Sequence, residues 1–131
     1  MGLQKTGLRL VAVARGGPVN VDMAAAADHG VRVVNAPGRN ASAVAEFTIG
    51  AIIELTRNIT TGHDALRQGK WRGDLYRSDM VGNELSDMTV GVIGYGHIGR
   101  RVVRLLSAFG ARVRITDPYV RLDPADAADG V

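Results

Sequence analysis

Thr89-Val90-Gly91-Val92-Ile93-Gly94-Tyr95-Gly96-His97-Ile98-Gly99-Arg100-Arg101-Val102-Val103-Arg104-Leu105-Leu106 is the stretch that decides the fold. An apolar run that reads as a β-strand enters three glycines spaced G-x-G-x-x-G, and an amphipathic run that reads as a helix leaves them. A second strand-like run, Ala111-Arg112-Val113-Arg114-Ile115-Thr116, follows and ends at Asp117. The glycine spacing alone is weak evidence. Between a strand and a helix, with an acid closing the next strand, it is the pattern of a dinucleotide-binding βαβ unit.

Each glycine has its own reason. Gly94 permits the tight turn out of the strand, Gly96 leaves room for a pyrophosphate to approach the backbone, and Gly99 lets helix and strand pack closely. Tyr95, His97 and Ile98 complete the loop, the last two mainly through backbone N–H groups at the helix start, where phosphate oxygens are received. Asp117 is placed to accept the adenosine ribose hydroxyls, and its charge opposes a 2′-phosphate, which favours NAD over NADP. Arg121 nearby weakens that preference, and a turn cap before Pro118 is the other reading of Asp117. In the helix after Gly99, Val102, Val103, Leu106 and Phe109 are expected toward the sheet and Arg101, Arg104 and Ser107 toward water, with Gly110 ending it. The nearly all-apolar strand at 89–93 reads as covered by helices on both faces.

Upstream, Leu8–Ala14 and Val31–Asn35 read as strands flanking a short alanine-rich helix that Asp22 can cap and His29-Gly30 ends, a second small βαβ unit. Arg15-Gly16-Gly17-Pro18 falls at the carboxyl end of its first strand, where open α/β sheets gather ligands; its successive N–H groups suit a small anion, or it is simply a turn. A long helix is expected from about Ser42 to Thr61, with Asn40 either its N-cap or a polar contact in a cleft, and Glu46 near its positive end. Ala45, Ile49, Ile52 and Ile53 share one face, while Val44, Phe47, Ala51 and Leu55 widen the apolar surface, so burial on more than one side is expected. Residues 62–87 read as polar and mixed, anchored by Trp71, Leu75 and Tyr76. The segment after Asp117, with Pro124 and the run Asp126–Gly130, gives no clear element.

The chain has 131 residues, enough for one modest domain, and 46% hydrophobic and 22% charged residues, as in an ordinary soluble protein. Its net charge of +3 comes with no basic tract or aromatic-interleaved patch, so nucleic acid is not implied. No run of 18 apolar residues points to a membrane, and Met1–Lys5 leads into no secretory core. Cysteine is absent, which rules out disulfides and thiolate metal sites and fits a cytoplasmic location. His29, His63 and His97 form no motif with an acid, and neither a metal cluster nor a nucleophile elbow is present. No catalytic residue is assigned in this chain.

The chain resembles the NAD-dependent D-isomer-specific 2-hydroxyacid dehydrogenases, the group that includes phosphoglycerate dehydrogenase. The similar stretches are Ala14–Gly17 with Asn20-Val21-Asp22, Val33–Gly38, Ser42–Glu46, Gly82–Leu85 and Val90–Gly99, spread over residues 8–119. The resemblance implies a Rossmann-like, doubly wound parallel sheet, present in part, with the tail of a flavodoxin-like substrate domain. Residues 1–36 would be that tail and 37–131 the start of the NAD-binding domain, so the chain reads as a fragment with no turnover of its own. Arg15, Gly16 and Gly17 match the loop that holds the substrate carboxylate, Asn40 a position near the substrate, Gly94–Gly99 the pyrophosphate loop and Asp117 the NAD-selecting acid. The Gly17-Pro18 step departs from the commoner pattern.

That resemblance further implies NAD as cofactor, a small 2-hydroxy or 2-keto acid as substrate, and a homodimer through the NAD-binding domain using the 42–61 helix and the arm with Trp71. Burial against the chain's own sheet is the alternative for that helix. The family's arginine and acid–histidine pair come later than the glycine loop and have no counterpart here. A non-catalytic NAD-sensing module of the corepressor kind, or a formate or phosphonate dehydrogenase, are the other readings.

Overall fold

The computed structural model describes residues 7–121. The opening Met1–Lys5 and the expected acidic run with Pro124 lie outside them. The elements are β1 (Leu10–Val13), α1 (Met23–Asp28), β2 (Arg32–Asn35), α2 (Ala41–Arg57), α3 (Ile59–Arg67), β3 (Thr89–Ile93), α4 (His97–Ala108) and β4 (Arg112–Thr116), with short 3-10 turns at Gly73–Tyr76 and Leu85–Asp87. The chain divides into two compact units, Met1–Asn40 and Ala41–Val131.

In the first unit β1 and β2 pair in parallel, Leu10 beside Arg32 and Val13 beside Asn35. Asp22 caps α1, its side chain accepting from the Ala25 N–H at 3.0 Å, which satisfies one of the first-turn donors a helix leaves open. His29 closes the same helix through Nδ1 and the Ala25 carbonyl, 2.8 Å apart, and Gly30 follows with φ +65°. Val13, Ala26 and Val31 are buried. Both strands are shorter than the apolar runs that announced them.

In the second unit β3 and β4 pair in parallel from Thr89–Arg112 to Ile93–Thr116, joined by α4, which packs on both strands and against α2. This is a Rossmann-like parallel sheet with flanking helices. Its core joins Ala45 and Ile49 of α2, Val102, Val103 and Leu106 of α4, Val113 of β4, and Leu85, Tyr95 and Ala111 from the connections.

Several expectations fail here. The long helix does not run to Thr61: α2 stops at Arg57, Asn58 adopts φ 55°, and α3 restarts at Ile59 and continues to Arg67. Asparagine is among the few residues that enter this left-handed region at modest cost, and its Nδ2 donates to the Met80 carbonyl at 3.2 Å. Residues 62–67, part of the stretch read as polar and mixed, are therefore helical. Glu46 lies beyond the first turn of α2, which carries no acid. Of the broad apolar surface of α2, Ala41, Ala45 and Ile49 are buried within the chain, and Phe47 and Leu55 are exposed in it, which leaves burial against a partner untested.

Strand β3 is packed on one face only, with Val90 and Val92 against the core and Ile93 90% exposed. One helix layer, not two, covers it among the described residues. Phe109 is half exposed because it lies past the last helical residue of α4 as its C-cap. Ser107 turns its Oγ inward, away from the water expected for it, and no described residue bonds that atom. Gly110 follows the cap with φ +77°, the conformation that ends helices most readily.

Candidate dinucleotide site

The loop between β3 and α4 is built as its spacing requires. Gly94 takes φ +95°, a region open to glycine, and its N–H extends the sheet by donating to the Thr116 carbonyl at 2.8 Å. A Cβ on Gly99 would stand 2.0 Å from the Gly94 carbonyl oxygen, so helix and strand meet where only hydrogen fits. A Cβ on Gly96 would meet nothing within 4 Å. The space above Gly96 is therefore free for a ligand to reach the backbone.

Helix α4 opens at this loop with Gly96 as its N-cap and no capping side chain. Its first i→i−4 bond runs from the Arg100 N–H to the Gly96 carbonyl at 3.1 Å. The N–H groups of His97, Ile98 and Gly99 thus have no helical acceptor. Free first-turn amides, the positive end of the helix dipole and an open approach over Gly96 make a setting for phosphate oxygens.

Asp117 follows β4 and reaches back across the sheet end. Its Oδ2 accepts the Tyr95 N–H at 2.6 Å, and its Oδ1 accepts the N–H groups of Tyr119 at 2.8 Å and Val120 at 3.0 Å. These bonds hold its carboxyl below the usual carboxylate range, the Tyr95 amide contributing most, with Arg100's charge adding to them against partial desolvation. The turn cap weighed for Asp117 is thus present. A carboxylate offers about four acceptor sites, so three amide bonds leave room on Oδ2 for another donor.

Gly94, Gly96, His97, Ile98, Gly99 and Asp117 are therefore gathered at one end of a parallel sheet. Tyr95 is there through its backbone, but its side chain belongs to the core and its N–H is taken by Asp117. Arg15, Gly16, Gly17 and Asn40 belong to the other compact unit. There the Gly16 carbonyl accepts from Asn35 Nδ2 at 2.7 Å, the Arg15 carbonyl from the Ala36 N–H at 2.9 Å, and the Ala14 carbonyl from Arg39 at 3.3 Å. That turn is fastened through its carbonyls. Asn40 stands immediately before α2.

Arg100 escaped the sequence reading. Its Nε donates to the Tyr95 carbonyl at 3.0 Å and its guanidinium lies 5.0 Å from the Tyr95 ring centroid. The available signal was an arginine one residue after the last glycine, able to fold back over an aromatic in the loop. Arg101 is likewise engaged, bonding the His97 carbonyl at 2.9 Å and Ser42 Oγ at 3.2 Å. Arg100, Arg101 and Arg104 line a shallow hollow on α4. Among the described residues no three His, Cys, Asp or Glu side chains cluster as metal ligands would, and no helix is long and apolar enough to cross a membrane.

Comparison with known proteins agrees with this geometry. The sequence profile of the D-isomer specific 2-hydroxyacid dehydrogenase NAD binding domain matches residues 49–131. The YoaD protein of Bacillus subtilis is 43% identical over 118 residues, covering 88% of this chain and 34% of that protein. The D-3-phosphoglycerate dehydrogenase of Mycobacterium tuberculosis is 42% identical over 121 residues, covering 92% of this chain and 22% of that protein. Among solved structures, D-2-hydroxyisocaproate dehydrogenase superposes with a TM-score of 0.78 at 34% identity, over 92% of this chain and 36% of that one. The chain thus spans about a third or less of the length of these relatives. It belongs to the D-isomer specific 2-hydroxyacid dehydrogenase family.

Proposed function

We propose that this member of the family carries the NAD-binding core of an oxidoreductase that interconverts D-2-hydroxy acids and 2-keto acids in the complete enzyme. The observation that carries the reading is the set of first-turn amides of α4 without helical acceptors, beside a Gly96 with open space above it. His97 and Ile98 hold the pyrophosphate through their N–H groups, and Gly96 lets it come close. Asp117 accepts a ribose hydroxyl on the free side of Oδ2 and disfavours a 2′-phosphate by its charge, which selects NAD over NADP. When bound, NAD(H) supplies the hydride exchanged with the carbon bearing the substrate oxygen.

Residues 1–36 then belong to the end of a flavodoxin-like substrate domain, and 37–131 begin a doubly wound NAD-binding domain. The turn at Arg15, Gly16 and Gly17 holds the substrate carboxylate through backbone N–H groups, with Asn40 near the substrate. The arginine and the acid–histidine pair that polarise and protonate the substrate oxygen lie in parts of the enzyme other than this chain. The complete enzyme works in the cytoplasm as a homodimer, an arrangement that the exposed Phe47, Leu55 and Trp71 favour.

Titration calorimetry with NADH and NADPH tests the reading. NADH is expected to bind, and NADPH about tenfold or more weakly, a gap of about 1.4 kcal/mol. No heat with NADH overturns the cofactor assignment, and equal binding overturns the role of Asp117. A panel of 2-keto acids and formate, given to the complete enzyme with NADH or NAD, then separates hydroxyacid from formate chemistry.

A further inference from the structure

Tyr95 is fixed at three places. Its N–H donates to Asp117 at 2.6 Å, its carbonyl accepts from Arg100 Nε at 3.0 Å, and its ring is 8% exposed within the core. The Arg100 guanidinium also faces that ring, 5.0 Å from the centroid, within cation–π range. The two peptide groups flanking Tyr95 are therefore held separately, one by a carboxylate and one by a guanidinium. The second of these peptides carries the Gly96 N–H. A trans peptide is planar, so its carbonyl and its N–H point in opposite directions. Drawing the Tyr95 carbonyl toward Arg100 turns the Gly96 N–H away from Arg100.

We propose that Arg100 is a positioning residue of the phosphate loop, which fixes the Tyr95–Gly96 peptide just ahead of the His97 and Ile98 amides by bonding the Tyr95 carbonyl. This rests on the dinucleotide reading above. Arg100 acts through the loop and not by placing its charge on a phosphate. The two roles are separable because the bond is made by Nε. Glutamine carries its Nε2 the same number of bonds from the backbone, so Arg100→Gln keeps the donor and removes the charge. Arg100→Met keeps the stem and removes both.

The test is binding of NADH, ADP-ribose and adenosine by the protein and these variants, with adenosine followed by NMR, alongside thermal melts. Arg100→Met is expected to weaken NADH and ADP-ribose about tenfold, and Arg100→Gln to stay within about threefold of the unaltered protein. Adenosine, which has no phosphate, should bind all three proteins alike, and the dependence of NADH binding on salt should be the same for the unaltered protein and Arg100→Gln.

Three results overturn the proposal. In the first, Arg100→Gln is as weak as Arg100→Met while Arg100→Lys binds normally, which makes the charge itself the ligand. In the second, Arg100→Met binds NADH normally. In the third, Arg100→Met weakens adenosine as much as NADH and lowers the melting temperature, which makes the role one of general stability. Absence of NADH binding by the unaltered protein is a different failure, that of the dinucleotide reading itself.

Discussion

Gly99 lies so close to Gly94 that a Cβ built on it would stand 2.0 Å from the Gly94 carbonyl oxygen. Gly96, between them, has nothing within 4 Å of the same construction. One motif thus holds two glycines with opposite reasons for lacking a side chain, and alanine distinguishes them. Gly99→Ala forces the backbone apart and is expected to cost about 2 kcal/mol or more of stability. Gly96→Ala should change stability by about 0.5 kcal/mol or less, yet weaken NADH about tenfold or more by closing the approach. Urea unfolding and calorimetry read the two effects. A Gly96→Ala protein that binds NADH normally would remove the pyrophosphate from this loop.

Asp117 gives the loop a pH dependence of known sign. Its carboxyl is held below its ordinary value by the Tyr95 amide first, then by those of Tyr119 and Val120, with the charge of Arg100 assisting. A carboxyl lowered in the folded state contributes its full stability above the unfolded value, about pH 3.9, and loses it as pH falls through the lower folded value. Asp117→Ala should therefore be less stable than the unaltered protein at neutral pH, and the gap should close below that range. Paired urea melts across the acid range measure it. A gap that stays constant through the acid limb would mean that the ionised carboxylate does not hold the loop.

Local signals made much of this fold legible. Strand β3 begins and ends where its apolar run does, because Gly94 marks the stop, and Asp22 caps α1 as its position before the alanine run suggests. What stayed hidden depends on atoms distant in sequence. Asp117 bonds Tyr95 22 residues away, and neither residue type announces it. The break at Asn58 was masked because apolar spacing runs on through it, while its conformation goes with a bond to Met80 across 22 residues. Ile93 reads as a covered strand residue by type alone, but coverage is a property of neighbours, and here it is exposed.

Asn58 and Gly82 set the end of α2, and each allows a direct test. Asn58 has φ 55°, where a side chain with a Cβ costs about 1–2 kcal/mol and glycine far less. Asn58→Ala should lose about 1 kcal/mol or more, through strain and the lost bond to Met80, while Asn58→Gly should stay nearer the unaltered protein. Gly82 combines φ +80° with a Cβ that would stand 2.0 Å from the Thr56 carbonyl oxygen. Gly82→Ala should therefore be worse than either, by about 2 kcal/mol or more. Equal stability of Asn58→Ala and Asn58→Gly would show that the left-handed turn is not what joins α2 to α3.

Phe47, Ala51 and Leu55 are spaced four residues apart on α2, so they share one stripe. Phe47 is 78% and Leu55 75% exposed, on the side away from the core contacts of Ala45 and Ile49. The proposed homodimer would cover these two large apolar side chains, which this chain leaves exposed on one stripe. Burying each would contribute about 1.5 kcal/mol or more. The double change Phe47→Glu and Leu55→Glu should then weaken a homodimer about a hundredfold or more. Sedimentation of the complete enzyme, unaltered and doubly changed, should show a dimer becoming a monomer. If both sediment as dimers, this stripe is not the interface, and if both are monomers at micromolar concentration, the dimer proposal falls.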